Sequence, residues 1–399
     1  MAIDNKDKKI LNVPHLRFPE FSGEWEMVSL QDIATINPKS DPLQNTFIYI
    51  DLEAVEKGEL RKIQEIMREE APSRAQRVID NNDILFQCVR PYQKNNYIHR
   101  ILNTSNQQWV ASTGYAQIRT TELPNYIYHL LNTDEFNRKV MVRCTGSSYP
   151  AINSEDLATI HLYYTPDKKE QLKISRLLDL LDKRIATQNK IIERYESLIR
   201  GINQYAFTNT GINYKLGEIC EIRSGYSGNQ LTLKNGLKVS RIETISGHKV
   251  NMERVGYVAP FESSENYRLQ IGDILFSNIN SVEYIGNTAF IDKDYNLYHG
   301  MNLLRLIPKK ELVMPFYLYL VLNTNRLLNH FKTVCNKAVS QASINQTELG
   351  KTIVRIPNLM NQNRICELFQ TLYTKLEAER YFISLLQDQK QHLLRQMFI

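Results

Sequence analysis

Two long segments of the chain carry apolar or large residues at alternating steps of four and three positions. One segment runs from Pro166 to Phe207 and the other from Pro357 to Phe398. This spacing predicts two long helices, each with a continuous seam of the coiled-coil type. The seam positions are Ile174, Leu178, Leu181, Ile185, Gln188, Ile192, Tyr195, Ile199 and Ile202, and then Ile365, Phe369, Leu372, Leu376, Glu379, Ile383, Leu386, Lys390 and Leu393. We expect the two prolines in the first helical turn, because the N–H that proline lacks has no intrahelical partner there.

The two helical segments are copies of one repeat, since every seam position recurs 191 residues later. The stretches before them also match, but their offset varies between 186 and 192. For example, the run Asn82–Phe86 corresponds to Gly272–Phe276, and Pro124 corresponds to Pro315. The chain therefore reads as two tandem copies of a variable globular domain, each followed by a helix of fixed length.

Shorter alternating runs within the first copy predict an α+β domain. We expect strands at 47–52, 83–89, 109–119 and 159–164, a helix at 124–132 and a short helical turn at 153–157. The stretch 146–150 is rich in turn residues and is predicted to be a loop.

The repeat also constrains how the two helices pack. About forty helical residues span roughly 60 Å, and a parallel pair would need the intervening domain to carry the chain back over that distance. We therefore predict an antiparallel coiled coil with pseudo-twofold symmetry and a globular domain at each end. Gln188 and Glu379 are the midpoints of the seams. They either form a buried polar layer that fixes the register or are partly solvated.

Composition narrows the class of protein without identifying it. The 399 residues contain no apolar run long enough to cross a membrane, and residues 1–10 lack the apolar core of a secretory signal. The five cysteines show no metal-ligand spacing and are predicted to be reduced thiols, with Cys144 and Cys335 one buried position that occurs twice. A net charge of +6 is compatible with nucleic-acid binding. We expect a cytoplasmic protein without a membrane segment.

The ordered, twice-repeated set of motifs resembles the DNA-specificity subunit of Type I restriction–modification systems. It includes the Gly-Asp-Ile-Leu-Phe run at 272–276 with its partner at 82–86, and the opening at 14–21. It also includes a Pro-x(4)-Gln-x-x-Ile start to each helix, which places Gln171 and Gln362 at equivalent positions. The first copy departs from the pattern with Asn82 in place of Gly272.

The resemblance implies that each globular domain reads one half of a split double-stranded DNA target. The helices would form the spacer and dock two methyltransferase subunits, to which restriction subunits join. The implied domains are an N-terminal leader (1–24), a first target-recognition domain (25–165), a first spacer helix (166–208), a second target-recognition domain (209–356) and a second spacer helix (357–399).

No pattern in the chain indicates catalysis of its own. There is no phosphate-binding Gly-x(4)-Gly-Lys-Ser/Thr loop, and Asn37-Pro38-Lys39 fails as the motif of an amino-methyltransferase at its third position. Asp51 and Glu53 are expected on one side of a strand, but lack the Glu-x-Lys that a nuclease would add. We therefore expect no catalytic residue, no cofactor and no metal, with the chemistry supplied by the partner subunits.

Candidate DNA contacts are basic, amide, hydroxyl and aromatic residues in the predicted loops, since such side chains reach base edges and phosphates. In the first domain they are Arg90, Tyr92, Lys94, Asn95, Asn96, Ser147, Ser148 and Tyr149. In the second they are Tyr226, Asn229, Ser277, Asn278, Asn280, Lys337, Ser340 and Gln341. A basic cluster is expected to face phosphates and comprises Arg61, Lys62, Arg68, Arg74 and Arg77.

Three other hypotheses stay open from the residues alone. The chain could be a non-catalytic coiled-coil scaffold, a stand-alone sequence-specific DNA-binding protein, or an enzyme that methylates or cuts DNA by itself. Salt-dependent, sequence-selective binding of duplex DNA in the presence of a methyltransferase subunit separates the leading hypothesis from the scaffold.

Overall fold

The computed structural model describes residues 12–100, 107–207, 211–232, 235–337 and 341–399. The chain divides into two structural units. Unit 1 contains residues 1–189 and 381–399, and unit 2 contains residues 190–380. Each unit therefore includes part of both long helices.

Unit 1 is a mixed α/β structure with short strands and, besides its long helix, short helices. The strands are β1 (Glu26–Ser29), β2 (Ala34–Ile36), β3 (Thr46–Ile50), β4 (Val55–Glu56), β5 (Glu59–Leu60), β6 (Gln64–Met67), β7 (Ala75–Ile79), β8 (Ile84–Gln87), β9 (Tyr97–Ile98), β10 (Gln108–Ser112), β11 (Tyr115–Thr120) and β12 (His161–Tyr164). The helices are α1 (Leu30–Ile33), α2 (Pro124–Leu131), α3 (Asp134–Arg143), α4 (Ser154–Ala158) and α5 (Lys168–Tyr205), the last of which continues into unit 2.

Two four-stranded sheets form the globular part of unit 1. One has the order β2-β11-β8-β9 and is antiparallel throughout. Its strand β8 reads Ile-Leu-Phe-Gln and is buried on both faces, with Phe86 edge-on to Phe136 of α3. The other has the order β6-β3-β10-β7, in which β10 runs parallel to β3. The main core lies between the first sheet and helices α2 and α3.

Unit 2 repeats the first of these sheets. Its strands are β13 (Ile212–Lys215), β14 (Cys220–Ser224), β15 (Leu237–Val239), β16 (Gly256–Val258), β17 (Ile274–Phe276), β18 (Ile279–Asn280), β19 (Thr288–Phe290), β20 (Leu304–Pro308), β21 (Asn336–Lys337), β22 (Ala342–Ser343) and β23 (Ile353–Ile356). Its helices are α6 (Leu216–Ile219), α7 (Pro315–Leu322), α8 (Asn325–Val334), α9 (Gln346–Gly350) and α10 (Leu359–Met397), which continues into unit 1. The order β14-β20-β17-β19 corresponds strand for strand to β2-β11-β8-β9.

The predicted tandem α/β repeat is confirmed, and several local predictions are corrected. The run predicted as one strand over 109–119 is two, β10 and β11, because the chain turns at Gly114. Asp51 and Glu53 follow the end of β3 in a turn, where the Asp51 carboxylate accepts the Glu53 N–H. Helix α3 was not predicted. Cys144 and Cys335 are equivalent C-terminal caps of α3 and α8, but Cys144 is only half-buried.

The long helices begin two residues after the prolines, not on them. Asp167 caps α5 by accepting the Lys169 N–H at 2.8 Å, and Asn358 caps α10 by accepting the Asn361 N–H at 2.9 Å. An Asp or Asn in this position satisfies an N–H that the first turn leaves free. Pro166 thus precedes the cap, and its effect is to end the strand rather than to start the helix.

A buried glutamine ties each helix start to its own globular domain. The Gln171 amide donates to the Thr165 carbonyl and accepts from the Leu123 N–H. Gln362 makes a similar set of bonds, donating to the Pro357 and Leu312 carbonyls and accepting from the Met314 N–H at 2.7 Å.

The last residue of each seam segment packs into a globular core. In unit 1, the ring of Phe398 lies 5.5 Å from Tyr126 and 6.0 Å from Trp25. In unit 2, the ring of Phe207 lies 5.4 Å from Tyr317. Phe398 follows Phe207 by 191 residues, and Tyr317 follows Tyr126 by the same offset, so the two aromatic contacts are copies of each other.

The seam residues fall into three environments. Ile174 and Leu178 are fully buried against the globular core of unit 1. Phe369, Leu372 and Leu376 form a second cluster in unit 2, against which Ile192, Tyr195, Ile199, Ile202 and Ile365 pack. Gln188 and Leu386 are buried, while Leu181, Ile185, Glu379 and Ile383 are half-buried.

Ion pairs join α5 to α10 within each unit. In unit 1, Lys390 contacts Asp182 at 2.5 Å and the Arg184 guanidinium lies over the Phe382 ring. In unit 2, Arg380 contacts Glu196 at 2.7 Å. Among the described helices, none is both long and apolar enough to cross a membrane.

Candidate nucleic-acid interface

The first-domain candidates lie in two segments that pair with each other. Strand β8 ends at Gln87, and the following Val89 bridges to Ala151, which also bridges to Thr145. The loop 146–150 therefore lies directly against the turn that follows β8. Ser147, Ser148 and Tyr149 are all exposed in that loop, and Tyr92 is exposed in the turn.

Arg90 is the point where the turn and the loop meet. Its N–H donates to the Pro150 carbonyl at 2.7 Å, and its guanidinium carbon lies 4.3 Å from the centre of the Tyr149 ring. Arg90 and Lys94 both have left-handed backbone angles, with φ of 55° and 53°. Such angles are unfavourable for residues other than glycine and often occur at functional sites.

The remaining candidates in this turn have structural partners. Lys94 forms an ion pair with Asp134 at 2.7 Å, and its hydrogen bond lowers the pKa of that carboxyl. The Asn95 side chain accepts the Lys57 N–H. Asn96 is buried, with its amide bonded to the Gln87 N–H and to Asn132. Burial removes Asn96 from the set of residues that could meet a base.

The basic cluster is not uniform. Arg61 pairs with Glu59 at 3.0 Å, and Arg68 donates to the Leu43 carbonyl. Arg77 is half-buried, and burial lowers its pKa. Arg74 is exposed and, within the described ranges, has no carboxylate partner. Lys62 is likewise exposed. Of these two, Arg74 is the one that lines the groove beside Arg90 and Tyr149.

A groove of about 730 Å³ joins these side chains. Its lining includes the basic residues Arg61, Arg74 and Arg90 and the aromatic Tyr149, together with the acids Glu53 and Glu56. Within this lining the Gln87 amide donates to the Gln93 side-chain oxygen at 2.9 Å. The groove therefore presents donors, acceptors and one exposed aromatic face.

The equivalent segments of unit 2 have the same pairing but different side chains. Strand β18 pairs Ile279 with Ser343, as Val89 pairs with Ala151. Ser277 is fully buried and accepts the Asn280 amide at 3.1 Å, so it supports the turn from inside. Asn278 is half-buried, Lys337 and Gln341 are exposed, and Ser340 lies outside the described residues.

Tyr226 belongs to an aromatic cluster that the sequence did not indicate. Its ring stacks on Phe261 at 4.0 Å and 9°, and Tyr267 is edge-on to both. The chain reaches this position because Gly225 meets Gly300 closely, where an added Cβ would lie 1.8 Å from the Gly300 carbonyl oxygen. Asn229 is exposed nearby in sequence. Phe261 lies in no sequence motif, so only its ring contacts in the structure identify it as a member of this aromatic cluster.

A buried aspartate pairs with an arginine on the neighbouring central strand of each unit. In unit 1, Asp83 accepts from Arg119 at 2.7 Å, which raises the pKa of the guanidinium. In unit 2, Asp273 contacts Arg305 at 2.7 Å, with both side chains almost fully buried. Burial raises the pKa of Asp273, against the attraction of Arg305.

Comparison with known families decides the assignment of the chain. The model of the Type I restriction modification DNA specificity domain matches twice, over residues 22–197 and 212–382. The chain belongs to this family. The two matches correspond to the two copies of the repeat described above.

Individual relatives are similar to this chain in sequence, and a solved structure is similar to it in fold. The specificity subunit of the MjaX type I restriction enzyme of Methanocaldococcus jannaschii is 38% identical over 188 residues, which are 46% of this chain and 44% of that protein. The chain thus spans less than half of that relative. The MjaVIII specificity subunit of the same organism is 23% identical over 94% of this chain and 91% of its own length. A solved structure from work on complex assembly in a type I R-M system superimposes with a TM-score of 0.61 at 23% identity, covering 93% of this chain and 96% of that one.

No group of three or more His, Cys, Asp or Glu within the described ranges is placed to hold a metal ion. His99 and His299 are buried, and burial lowers the pKa of each to about 4. Both are neutral structural residues at neutral pH.

Proposed function

We propose that this chain is the DNA-recognition subunit of a Type I restriction–modification complex and binds a bipartite target, one half-site per globular domain. The observation that carries the proposal is the double match to the DNA specificity domain. The proposed domains are residues 25–165 and 209–356, with 1–24 as a leader.

Different loops on one framework support two different half-sites. The strand order is the same in both units, yet Arg90 and Tyr149 of the first copy align with Asn280 and Gln341 of the second. Arginine and asparagine favour different bases, because their donors and acceptors match guanine and adenine respectively.

The two long helices are proposed to form an antiparallel coiled coil that acts as the spacer. Within unit 2, Glu196 of α5 contacts Arg380 of α10, and Phe207, two residues after α5 ends, contacts Phe369 of α10. A later position in the first segment thus meets an earlier position in the second, as in an antiparallel pair. Helices of 38 and 39 residues would extend roughly 57 Å, enough to hold two readers about one turn of duplex or somewhat more apart.

The proposed partners are double-stranded DNA, two methyltransferase subunits and, through them, restriction subunits. The solved structure that resembles this chain comes from work on complex assembly of a type I R-M system. In this proposal the partners supply methylation and cleavage, and this chain supplies no catalytic residue or cofactor.

A domain exchange tests the proposal. Residues 25–160 are replaced by the same segment of another family member, and the full complex with its methyltransferase subunits is used to map methylated sites. We expect one half of the target to change and the other half and the spacing to stay. The matched control exchanges residues 212–356 and should change the opposite half. The proposal would be contradicted if the target stayed the same in both exchanges, or if it were one short continuous sequence without a spacer.

A further inference from the structure

Arg90 differs from the other candidate side chains because its position is fixed while its donors remain unused. The bond from its N–H to the Pro150 carbonyl fixes the backbone, and the Tyr149 ring supports the guanidinium plane. An arginine held in this way loses little rotamer freedom when it binds, which favours a specific contact.

The Arg90 guanidinium has no acid partner within the described ranges. Its Nε is buried and forms no hydrogen bond, although a buried donor without an acceptor is costly. By contrast, Lys94 and Arg61 in the same region have carboxylate partners. Since this nitrogen is buried, a ligand in the groove would meet the terminal nitrogens of the half-buried Arg90 side chain.

The surroundings of Arg90 favour a base edge over a phosphate as that ligand. The groove is also lined by the exposed side chain of Gln93, an amide that suits the edges of bases. Arg74 lines the same groove and is more exposed, as a phosphate contact requires. A planar guanidinium with two parallel donors matches the O6 and N7 acceptors of guanine in the major groove.

We propose that Arg90 reads a guanine in the half-site bound by the first domain, with Tyr149 holding the guanidinium in the reading plane and Arg74 contacting the neighbouring phosphate. This inference rests on the proposed function of the chain. It deepens that function by assigning one base type to one residue, and it makes position 90 and its counterpart Asn280 a site where the two half-sites differ.

The test uses the full chain in complex with its methyltransferase subunits and a duplex library in which both half-sites are randomised. We expect the wild type to select a guanine at one position of one half-site. Arg90→Lys keeps the charge but loses the planar fork, so selection of that guanine should fall roughly tenfold to a hundredfold. All positions of the other half-site should be unchanged, which also reports that the variant is folded.

Arg74→Lys is the matched control, because a lysine still neutralises a phosphate. It should leave every base preference intact, whereas Arg74→Gln should weaken all sequences alike and lower the salt dependence of binding. Tyr149→Ala should relax the same guanine position as Arg90→Lys, because the guanidinium then loses the ring that supports it.

Four results would overturn the inference. The first is that Arg90→Lys leaves all base preferences unchanged, and the second is that it weakens every sequence equally, which would make Arg90 a phosphate contact. A wild type that selects a bipartite site without a guanine sensitive to position 90 would refute the inference alone. A wild type that selects no bipartite site would refute both the inference and the proposed function.

Discussion

Removing the ring of Phe398 should destabilise unit 1 from the far end of α10. The side chain is 5% exposed and contacts the rings of Tyr126 and Trp25. Truncation to alanine removes roughly 100 Å² of buried apolar surface, which lowers the free energy of unfolding by about 2.5 kcal/mol. Each lost aromatic pair lowers it by about 0.5 kcal/mol or more. Because the chain end can relax into part of the space, we expect a total of about 3 kcal/mol, near the lower limit for Phe→Ala in a core.

Hydrogen exchange measured by mass spectrometry can locate this loss. Tyr126 lies in α2. The α2 amides that follow it should exchange roughly a hundredfold faster in Phe398→Ala, if their exchange requires unit 1 to open. The amides of α7 in unit 2 provide the comparison. Phe207→Ala, the copy of this change in unit 2, should have its larger effect on α7 because Phe207 contacts Tyr317.

Leu385→Ala is the control on the same helix, since Leu385 is 45% exposed and its loss should change stability by less than about 0.5 kcal/mol. Unchanged protection of α2 in Phe398→Ala would refute the reasoning, as would equal effects of Phe398→Ala and Leu385→Ala. Either result would mean that the end of α10 is not part of the unit 1 core.

Three further predictions concern the helix starts, pH and helix length. Gln362→Ala removes the bonds to the Met314 N–H and the Pro357 carbonyl and should cost about 2 kcal/mol in urea unfolding; Gln171→Ala should cost a similar amount, and a neutral effect of either would contradict the tethering role. Burial holds the pKa of His99 and His299 at about 4, so the unfolded chain takes up protons first as the pH falls from 6.5. Each histidine should therefore lower the free energy of unfolding by up to about 3 kcal/mol at pH 4. A variant with both histidines replaced by glutamine should lose less stability between pH 7 and pH 4.5, as measured by urea unfolding at the two pH values. Inserting one heptad into each long helix should lengthen the unread spacer by about three base pairs without changing either half-site, as mapped by methylation; an unchanged spacer would contradict the proposed rod.

The sequence predicted the elements that have a strong period or recur. The two long helices are correct to within about two residues at each end, because their seams extend over many turns. The strands around Asp83 and Asp273 were found because the same run occurs twice. Helix α3 was missed, since within Asp134–Arg143 only Phe136 and Val140 are buried, too few to give a clear period.

Long-range pairing and side-chain burial could not be predicted in the same way. Strand β10 pairs in parallel with β3, about sixty residues away, and no local pattern specifies that partner. Asn96 and Arg90 are both polar residues after a buried strand. Only the fold shows that Asn96 bonds to Asn132 inside the domain while Arg90 faces the groove.

The parts that recur between the two units are those that fix the backbone beneath the loops. The Asp83–Arg119 pair recurs as Asp273–Arg305, and the Gln171 tether recurs at Gln362. Apart from the half-exposed Arg119, these side chains are buried, so their contacts do not depend on which side chains the loops carry. A framework held in this way can accept arginine at position 90 and asparagine at its counterpart, position 280, without refolding. This separation explains in physical terms how one chain can carry the same fold twice and still offer two chemically different surfaces to DNA.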